Sequence, residues 1–229
     1  VEVCAATQRC IVSGRHCGTA RTISVEQMLL IKNPLNIIVT TTKKLGNYFF
    51  KIRSFTPIPF IFALLYFAHP TWYTLAIGTP FIAVGEFLRI WAVGYAGAST
   101  RARSLGAARA LVTTGPYSYV RNPLYLGNFL LSLGICLVAN VYWLVAVLIV
   151  GYFSQYLPII ALEEAYLSES CGAIYQAYRA AVPRLLPQLR PYPHPSPHDL
   201  SWRRALKSEK RTLTAIVCVI GLIFARQIV

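Results

Sequence analysis

Gly115-Pro116-Tyr117-Ser118-Tyr119-Val120-Arg121-Asn122-Pro123-Leu124-Tyr125-Leu126-Gly127 is polar, turn-rich and basic, yet it lies between two long apolar blocks. Gly115-Pro116 punctuates the chain and ends any helix arriving from upstream. Asn122-Pro123 predicts a helix start. Asn122 is the N-cap, its side-chain oxygen offered to a free backbone N–H, and Pro123 is the first helical residue, with φ already suitable. An apolar run from Leu124 follows at once. A helix is therefore expected to begin at a membrane surface, with Tyr117, Tyr119, Arg121 and Tyr125 at its mouth. The positive end of its dipole faces whatever binds there. An interfacial loop whose Arg and Tyr only anchor helix ends would use the same residues.

Downstream comes Ala161-Leu162-Glu163-Glu164-Ala165-Tyr166-Leu167, two adjacent carboxylates directly after a membrane-length apolar segment. Either they are solvated at a helix end or they face the same pocket as Arg121; charge at membrane depth tends to be functional. Between the two motifs, Asn140 is the one polar break separating the apolar runs 124–139 and 141–162. The turn is tight and the runs form an antiparallel hairpin. That hairpin brings Tyr125 and Glu163 to one membrane face, and Gly134 and Gly151 are expected to let its two helices approach closely.

Of the 229 residues, 55% are hydrophobic and 13% charged, too apolar for an ordinary soluble domain and suited to an integral membrane protein. The net charge of +14 comes from basic residues that flank apolar runs and do not line one helix face. Anionic lipid and positive-inside topology account for them better than nucleic acid. The six cysteines form no C-x-x-C pair, and Cys4, Cys10 and Cys17 with His16 fit no zinc spacing, so no metal site and no disulfide framework is read.

Residues 1–47 read as an N-terminal extension, in part interfacial. Met28, the only methionine, is expected to be the natural start, and Met28 to Val39, broken by Lys32-Asn33-Pro34, suits an interfacial helix. Residues 48–229 read as an all-α, polytopic membrane bundle of about five transmembrane helices. The expected spans are Phe55–Ala68 (extended by Tyr48-Phe49-Phe50), Trp72–Tyr95, Leu124–Ala139 and Val141–Leu162. Leu213–Ala225 is a fifth span or a membrane-lying helix. Glu86 and Arg89, three apart on the second span, either pair only with each other or support the pocket from behind. Glu163–Ala181 reads as an amphipathic surface helix, and the proline-rich Leu185–Pro197 cannot be helical throughout. The turns at His69 and Asn140 carry no Lys or Arg, whereas 43–53, 101–121 and 179–211 carry nearly all. Those three segments, and the site with them, are expected in the cytoplasm.

The pattern G-P-Y-x-x-V-R-N-P-x-Y-x-G, then Glu-Glu, then Tyr175-x-x-Tyr178-x-x-x-Val182-Pro183, resembles the isoprenylcysteine carboxyl methyltransferase family, whose core phospholipid N-methyltransferases share. The resemblance covers roughly Gly85 to Pro187. It implies an S-adenosyl-L-methionine cofactor and motifs at 109–127 and 163–164. Carried over residue by residue, the cofactor contacts are Arg109, Ala110, Leu111, Val112, Tyr117, Asn122, Pro123, Leu124, Tyr125 and Glu163. Arg121 and Glu164 are the candidate catalytic residues. Glu163 suits the cofactor's ammonium, the N–H groups at the helix start its carboxylate, and the Tyr117 and Tyr125 rings its sulfonium or adenine. Many relatives have His where this chain has Asn122, so no acid–base role is expected there. Carboxyl-methylating relatives hold the substrate carboxylate with an Arg one helical turn before the Glu pair. Here that position is Ile159, and Arg121 or Arg103 is left to supply the clamp.

The implied activity is methyl transfer to a lipophilic acceptor, by carboxyl methylation of a prenyl-type thioether acid or by N-methylation of a lipid headgroup, with Glu164 the candidate base in the amine case. Two other readings are an NADPH-dependent reductase of the steroid-reductase type, which has a similar R-x-P-x-Y-x-G stretch, and a non-catalytic membrane scaffold. The Glu163-Glu164 pair argues against the reductase, because carboxylates repel a phosphate-rich cofactor.

Overall fold

The computed structural model describes residues 45–53, 55–97 and 111–225. Among them every regular element is helical. Helix α1 is Leu45–Ile52. It is followed by α2 (Pro57–Phe67), α3 (Trp72–Ala96), a 3₁₀ turn at Gly115–Ser118, α4 (Pro123–Ala139), α5 (Tyr142–Ala181) and α6 (Trp202–Ala225). The expectations for residues 1–44, and for Arg101, Arg103, Arg109 and Ala110, lie outside the described residues.

Local chemistry accounts for the helix ends. Thr71 and Thr74 cap α3 reciprocally: the Thr74 N–H donates to the Thr71 hydroxyl (3.2 Å) and the Thr71 N–H to the Thr74 hydroxyl (2.8 Å). Helix α4 ends at Asn140 with φ 60°, a left-handed conformation that Asn tolerates better than most residues. The Asn140 side chain donates to the His69 carbonyl (3.2 Å), and the His69 N–H to the Ala139 carbonyl (2.9 Å). The two turns without Lys or Arg are thus joined at one end of the bundle.

Three expectations change. Helix α5 does not stop at Leu162. It runs through Glu163-Glu164 and breaks only at Gly172 (φ 53°), because the intervening Leu, Glu and Ala residues are good helix formers with no breaker among them. Helix α6 starts at Trp202, so the basic stretch and the last apolar run form one amphipathic helix. Finally, α4 packs most intimately on α3. A methyl group added at Gly78 would lie 2.5 Å from the Gly134 carbonyl oxygen, and one at Gly85 would lie 2.8 Å from that of Gly127. The four glycines form two facing pairs seven residues apart, which lets two antiparallel backbones touch. Gly134 therefore serves the α3 contact, while Gly151 has nothing within 4 Å and holds no helix close.

Helices α3 and α5 are long and apolar enough to cross a membrane, and α1 with α2, bent by 55°, makes a third candidate if the pair is one span. Helix α4, with 17 residues, is shorter than the roughly 20 that a bilayer core requires. Large apolar side chains stand outward: Trp72 is 80% exposed, Phe62 70% and Val150 68%. Such a surface suits lipid and not water.

Because a backbone carbonyl cannot move aside, Gly85→Ala is expected to cost about 1–3 kcal/mol through overpacking. Gly151→Ala, in open space, is expected to be neutral or slightly stabilising. Thermal unfolding of the detergent-solubilised variants compares them; equal midpoints would remove the glycine contact as a determinant of packing.

Candidate active site

The two sequence motifs meet where α4 begins and α5 passes it. Glu163 and Glu164 are both buried, 9% and 5% exposed. Adjacent helical residues point in different directions, so the two carboxylates find different partners. The Tyr125 hydroxyl donates to Glu163 Oε1 at 3.0 Å, across 38 residues of sequence. The hairpin expectation holds at this contact.

Glu164 turns toward the chain entering and leaving the site. Arg184 donates to both of its oxygens, Nη2 to Oε2 at 2.5 Å and Nε to Oε1 at 3.2 Å. The Asn122 side-chain amide reaches Oε1 at 3.5 Å, and Arg121 Nη2 lies 3.5 Å from the same oxygen. The Asn122 amide also donates to the Arg184 carbonyl (3.1 Å). The expected side-chain cap is therefore not made: Asn122 stands at the N-cap of α4, but its side chain is directed to Glu164 and Arg184. Arg121 contributes one nitrogen to Glu164. Its Nε and Nη1 are buried without a hydrogen-bond partner, and its side chain is only 10% exposed.

The proline-rich segment, non-helical as expected, straps the loop in place. The Arg121 N–H donates to the Pro183 carbonyl (2.9 Å), the Gln188 N–H to Tyr119 (3.0 Å) and the Tyr192 N–H to Ser118 (3.0 Å). Tyr178 from the end of α5 donates its hydroxyl to the Tyr117 carbonyl at 2.7 Å. Leu111 packs against the cluster of Cys171, Tyr175, Tyr178 and Val182. Val112 and Leu124 are half-buried and Pro123 is fully buried.

On the bundle side, the Tyr125 ring lies 5.2 Å from that of Tyr156, which stacks on Tyr152 at 4.2 Å. The Tyr152 hydroxyl donates to the Tyr125 carbonyl at 2.6 Å. Tyr152 and Tyr156 also line an apolar cavity of about 840 Å³ between α2, α4 and α5. Phe60, Leu131, Trp143 and Val147 form much of its wall, and Asn128, Gln155 and Thr212 are among its polar side chains. The pair of Glu86 and Arg89 is part of a wider cluster. Arg89 Nε lies 3.4 Å from Glu86, Nη2 lies 2.5 Å from Glu209 on α6, and the same guanidinium donates to Asn128 and Thr212. The reading in which Glu86 and Arg89 pair only with each other does not hold, because Arg89 also binds Glu209, Asn128 and Thr212, the last two on the wall of the apolar cavity.

Arg184, Gln155 and Glu209 escaped sequence reasoning. Arg184 directly follows the Val182-Pro183 motif, which was the available signal. Glu209 was masked by the cations around it. Ile159 is fully buried, so the position one turn before the Glu pair carries no charge. Among the described residues no group of three His, Cys, Asp or Glu could hold a metal ion.

Residues 73–174 match the family model described as phospholipid methyltransferase. A curated relative, the protein-S-isoprenylcysteine O-methyltransferase of Schizosaccharomyces pombe, is 35% identical over 130 residues, covering 54% of this chain and 53% of its own. The cobalt-zinc-cadmium resistance protein CzcN of Cupriavidus metallidurans is 27% identical over 172 residues, 72% of this chain and 74% of that one. The chain thus spans about half the length of the first relative. No solved structure gives a significant match. The family match and the first relative support the resemblance carried by the motifs, and with the apolar helices they indicate a membrane protein.

The different surroundings of the two carboxylates separate their roles. Glu164→Gln leaves two guanidinium groups without their anion and is expected to lower stability by about 1.5–3 kcal/mol, the scale of hydrogen bonds to charged groups. Glu163→Gln keeps an acceptor for the Tyr125 hydroxyl and is expected to change stability by less than about 1 kcal/mol. Thermal unfolding of both variants decides; the reverse order would place the structural anchor at Glu163.

Proposed function

We propose, on the premise that residues 73–174 form a segment of the phospholipid methyltransferase type, that the protein is a multi-pass integral membrane methyltransferase. It uses S-adenosyl-L-methionine, acts on a lipophilic acceptor and carries its site at the cytosolic face. The observation that carries the reading is the mouth of α4. There a helix starts without a side-chain cap, beside a buried guanidinium with two unpartnered nitrogens and a buried carboxylate held by Tyr125. Unpartnered buried donors are costly alone and fit a ligand anion. A buried carboxylate beside them fits a ligand ammonium.

When bound, S-adenosyl-L-methionine supplies a methyl group on a positively charged sulfur. Glu163 holds the ammonium of the methionine part, and the N–H groups of the first turn of α4 hold its carboxylate. The aromatic faces of Tyr117 and Tyr125 favour the sulfonium. Leu111, packed on the Tyr175 and Tyr178 cluster, and Val112 are further contacts in this reading, to which the resemblance alone adds Arg109 and Ala110. Asn122 contributes hydrogen bonds without a titratable group. Glu164 is a positioning residue, because its oxygens are engaged by Arg184, Arg121 and Asn122 and it is a poor candidate for a base. Arg121 retains two buried nitrogens for the acceptor's anionic group, the role that Ile159 cannot fill. Alignment of the reactants in a site that excludes water is then the main catalytic contribution.

The cavity beside Tyr152 and Tyr156 is the place for the acceptor's apolar chain. In this reading the short α4 and the amphipathic α6 join the three candidate spans to make about five membrane crossings, with the Lys- and Arg-rich segments on the cytosolic side. Between the two acceptor classes, a carboxylate and a lipid-headgroup amine, the family match favours the second and the S. pombe relative the first.

Calorimetric titration with S-adenosylhomocysteine is expected to give micromolar binding, with none for NADPH. Glu163→Gln is expected to weaken it by about 1.5–3 kcal/mol, the scale of a hydrogen bond to a charged group. Binding of NADPH alone would replace the methyltransferase reading with a reductase. Unchanged affinity in Glu163→Gln would remove that residue from the site.

A further inference from the structure

We infer that Gln155 selects the acceptor, by donating a hydrogen bond to a carbonyl oxygen on the apolar chain of an ester-linked lipid in the 840 Å³ cavity. The inference rests on the function proposed above and names the acceptor class. Gln155 projects from α5 into a cavity whose described lining is largely apolar and includes no charged side chain. The Thr56 hydroxyl, which lies 3.3 Å from the Arg53 carbonyl and 2.9 Å from Gln155 Oε1, donates over the shorter distance to Gln155 and so orients the amide. Gln155 Nε2 is then buried with no hydrogen-bond partner. In hydrocarbon surroundings an unpartnered amide N–H costs far more than one in water. Its retention on a cavity wall points to a ligand that completes it. Gln155 directly precedes Tyr156, whose ring stacks on Tyr152 and lies 5.2 Å from that of Tyr125, the residue that holds Glu163. Among the α5 residues that line the cavity, from Trp143 to Tyr156, Gln155 is one of the last before Glu163, so it stands on the side of the cavity toward the α4 mouth. A neutral N–H suits a neutral carbonyl oxygen; a carboxylate in such surroundings calls for an Arg or Lys, and the described lining has neither. A cavity of this volume is large enough for much of a lipid chain. An ester carbonyl satisfies the amide, whereas a purely hydrocarbon prenyl chain leaves it unmade.

The test is equilibrium binding of radiolabelled dioleoylphosphatidylethanolamine and its diether analogue to the full chain in detergent. The two lipids differ only in the carbonyl oxygens. The wild-type protein is expected to bind the diester roughly five- to tenfold more tightly, the range for one neutral hydrogen bond. Gln155→Leu, and the longer Gln155→Met, are expected to bind both lipids at the diether affinity with an unchanged unfolding midpoint. Equal binding of the two lipids by the wild type would overturn the inference, as would discrimination that survives in both variants or failure to bind either lipid. S-adenosylhomocysteine binding on the same samples separates the two levels. Intact cofactor binding without lipid discrimination sinks only the role of Gln155, whereas absent cofactor binding sinks the methyltransferase reading.

Discussion

A carboxylate at 5% exposure has to be matched by cations or hydrogen-bond donors, or it costs several kcal/mol. Glu164 is matched by three side chains from two other segments. Arg121 and Asn122 precede α4, and Arg184 follows α5. One ionic contact therefore fixes the loop, the helix start and the strap together. The backbone bonds from Arg121 to Pro183, Gln188 to Tyr119 and Tyr192 to Ser118 then close along the same seam. With Glu164 occupied in this way, its neighbour Glu163 faces Tyr125 on the other side of α5, toward the bundle. The division of labour between two adjacent identical side chains follows from the 100° step of the helix.

Much of this was legible because it depends on local signals. Asn122-Pro123 and Asn140 bound α4, and the absence of any other polar break between residues 124 and 162 made the hairpin and the meeting of Tyr125 with Glu163 predictable. What failed was the choice between neighbours in sequence and neighbours in space. Gly134 was assigned to α5 because α5 follows it, yet its partner is Gly78 on the preceding helix. The signal was present as two glycines seven apart in each helix, in opposite order, and only their registration against each other reveals it. The Asn122 cap failed for a related reason. A cap is a local contact, and it lost to Glu164 and Arg184, which no local window contains. Glu209, surrounded by Arg and Lys in sequence, is 1% exposed and faces Arg89 from another helix. Local charge counting reads such a residue as part of a basic face.

The polar mouth of α4 and the apolar cavity between α2, α4 and α5 are different solvents for different parts of a ligand. Tyr125, Tyr152 and Tyr156 stand between them, and each can present a ring to one side and a hydroxyl or carbonyl to the other. Tyr152 shows this directly, with its ring on the cavity wall and its hydroxyl on the Tyr125 carbonyl. The cluster of Arg89, Glu86 and Glu209 braces the same wall from behind through Asn128 and Thr212, which also line the cavity. On the proposed reading, this arrangement would keep a lipophilic chain in an apolar space while its reacting end meets a charged cofactor at the rim.

Ile159 sharpens what that rim can recognise. In carboxyl-methylating relatives the resemblance gives this position an arginine, one helical turn before the Glu pair, that holds the substrate carboxylate. Here the side chain is apolar and fully buried, and the buried guanidinium with open nitrogens stands on the α4 side. There Arg121 has Nη2 on Glu164 while Nε and Nη1 remain without partners. A guanidinium anchored at one nitrogen and open at two is preorganised, since its orientation is fixed before a ligand arrives. A carboxylate and a phosphate both satisfy such a fork, so the charge alone does not separate the two acceptor classes. On the proposed reading, the separation rests on the polar side chains of the cavity wall, Gln155 among them.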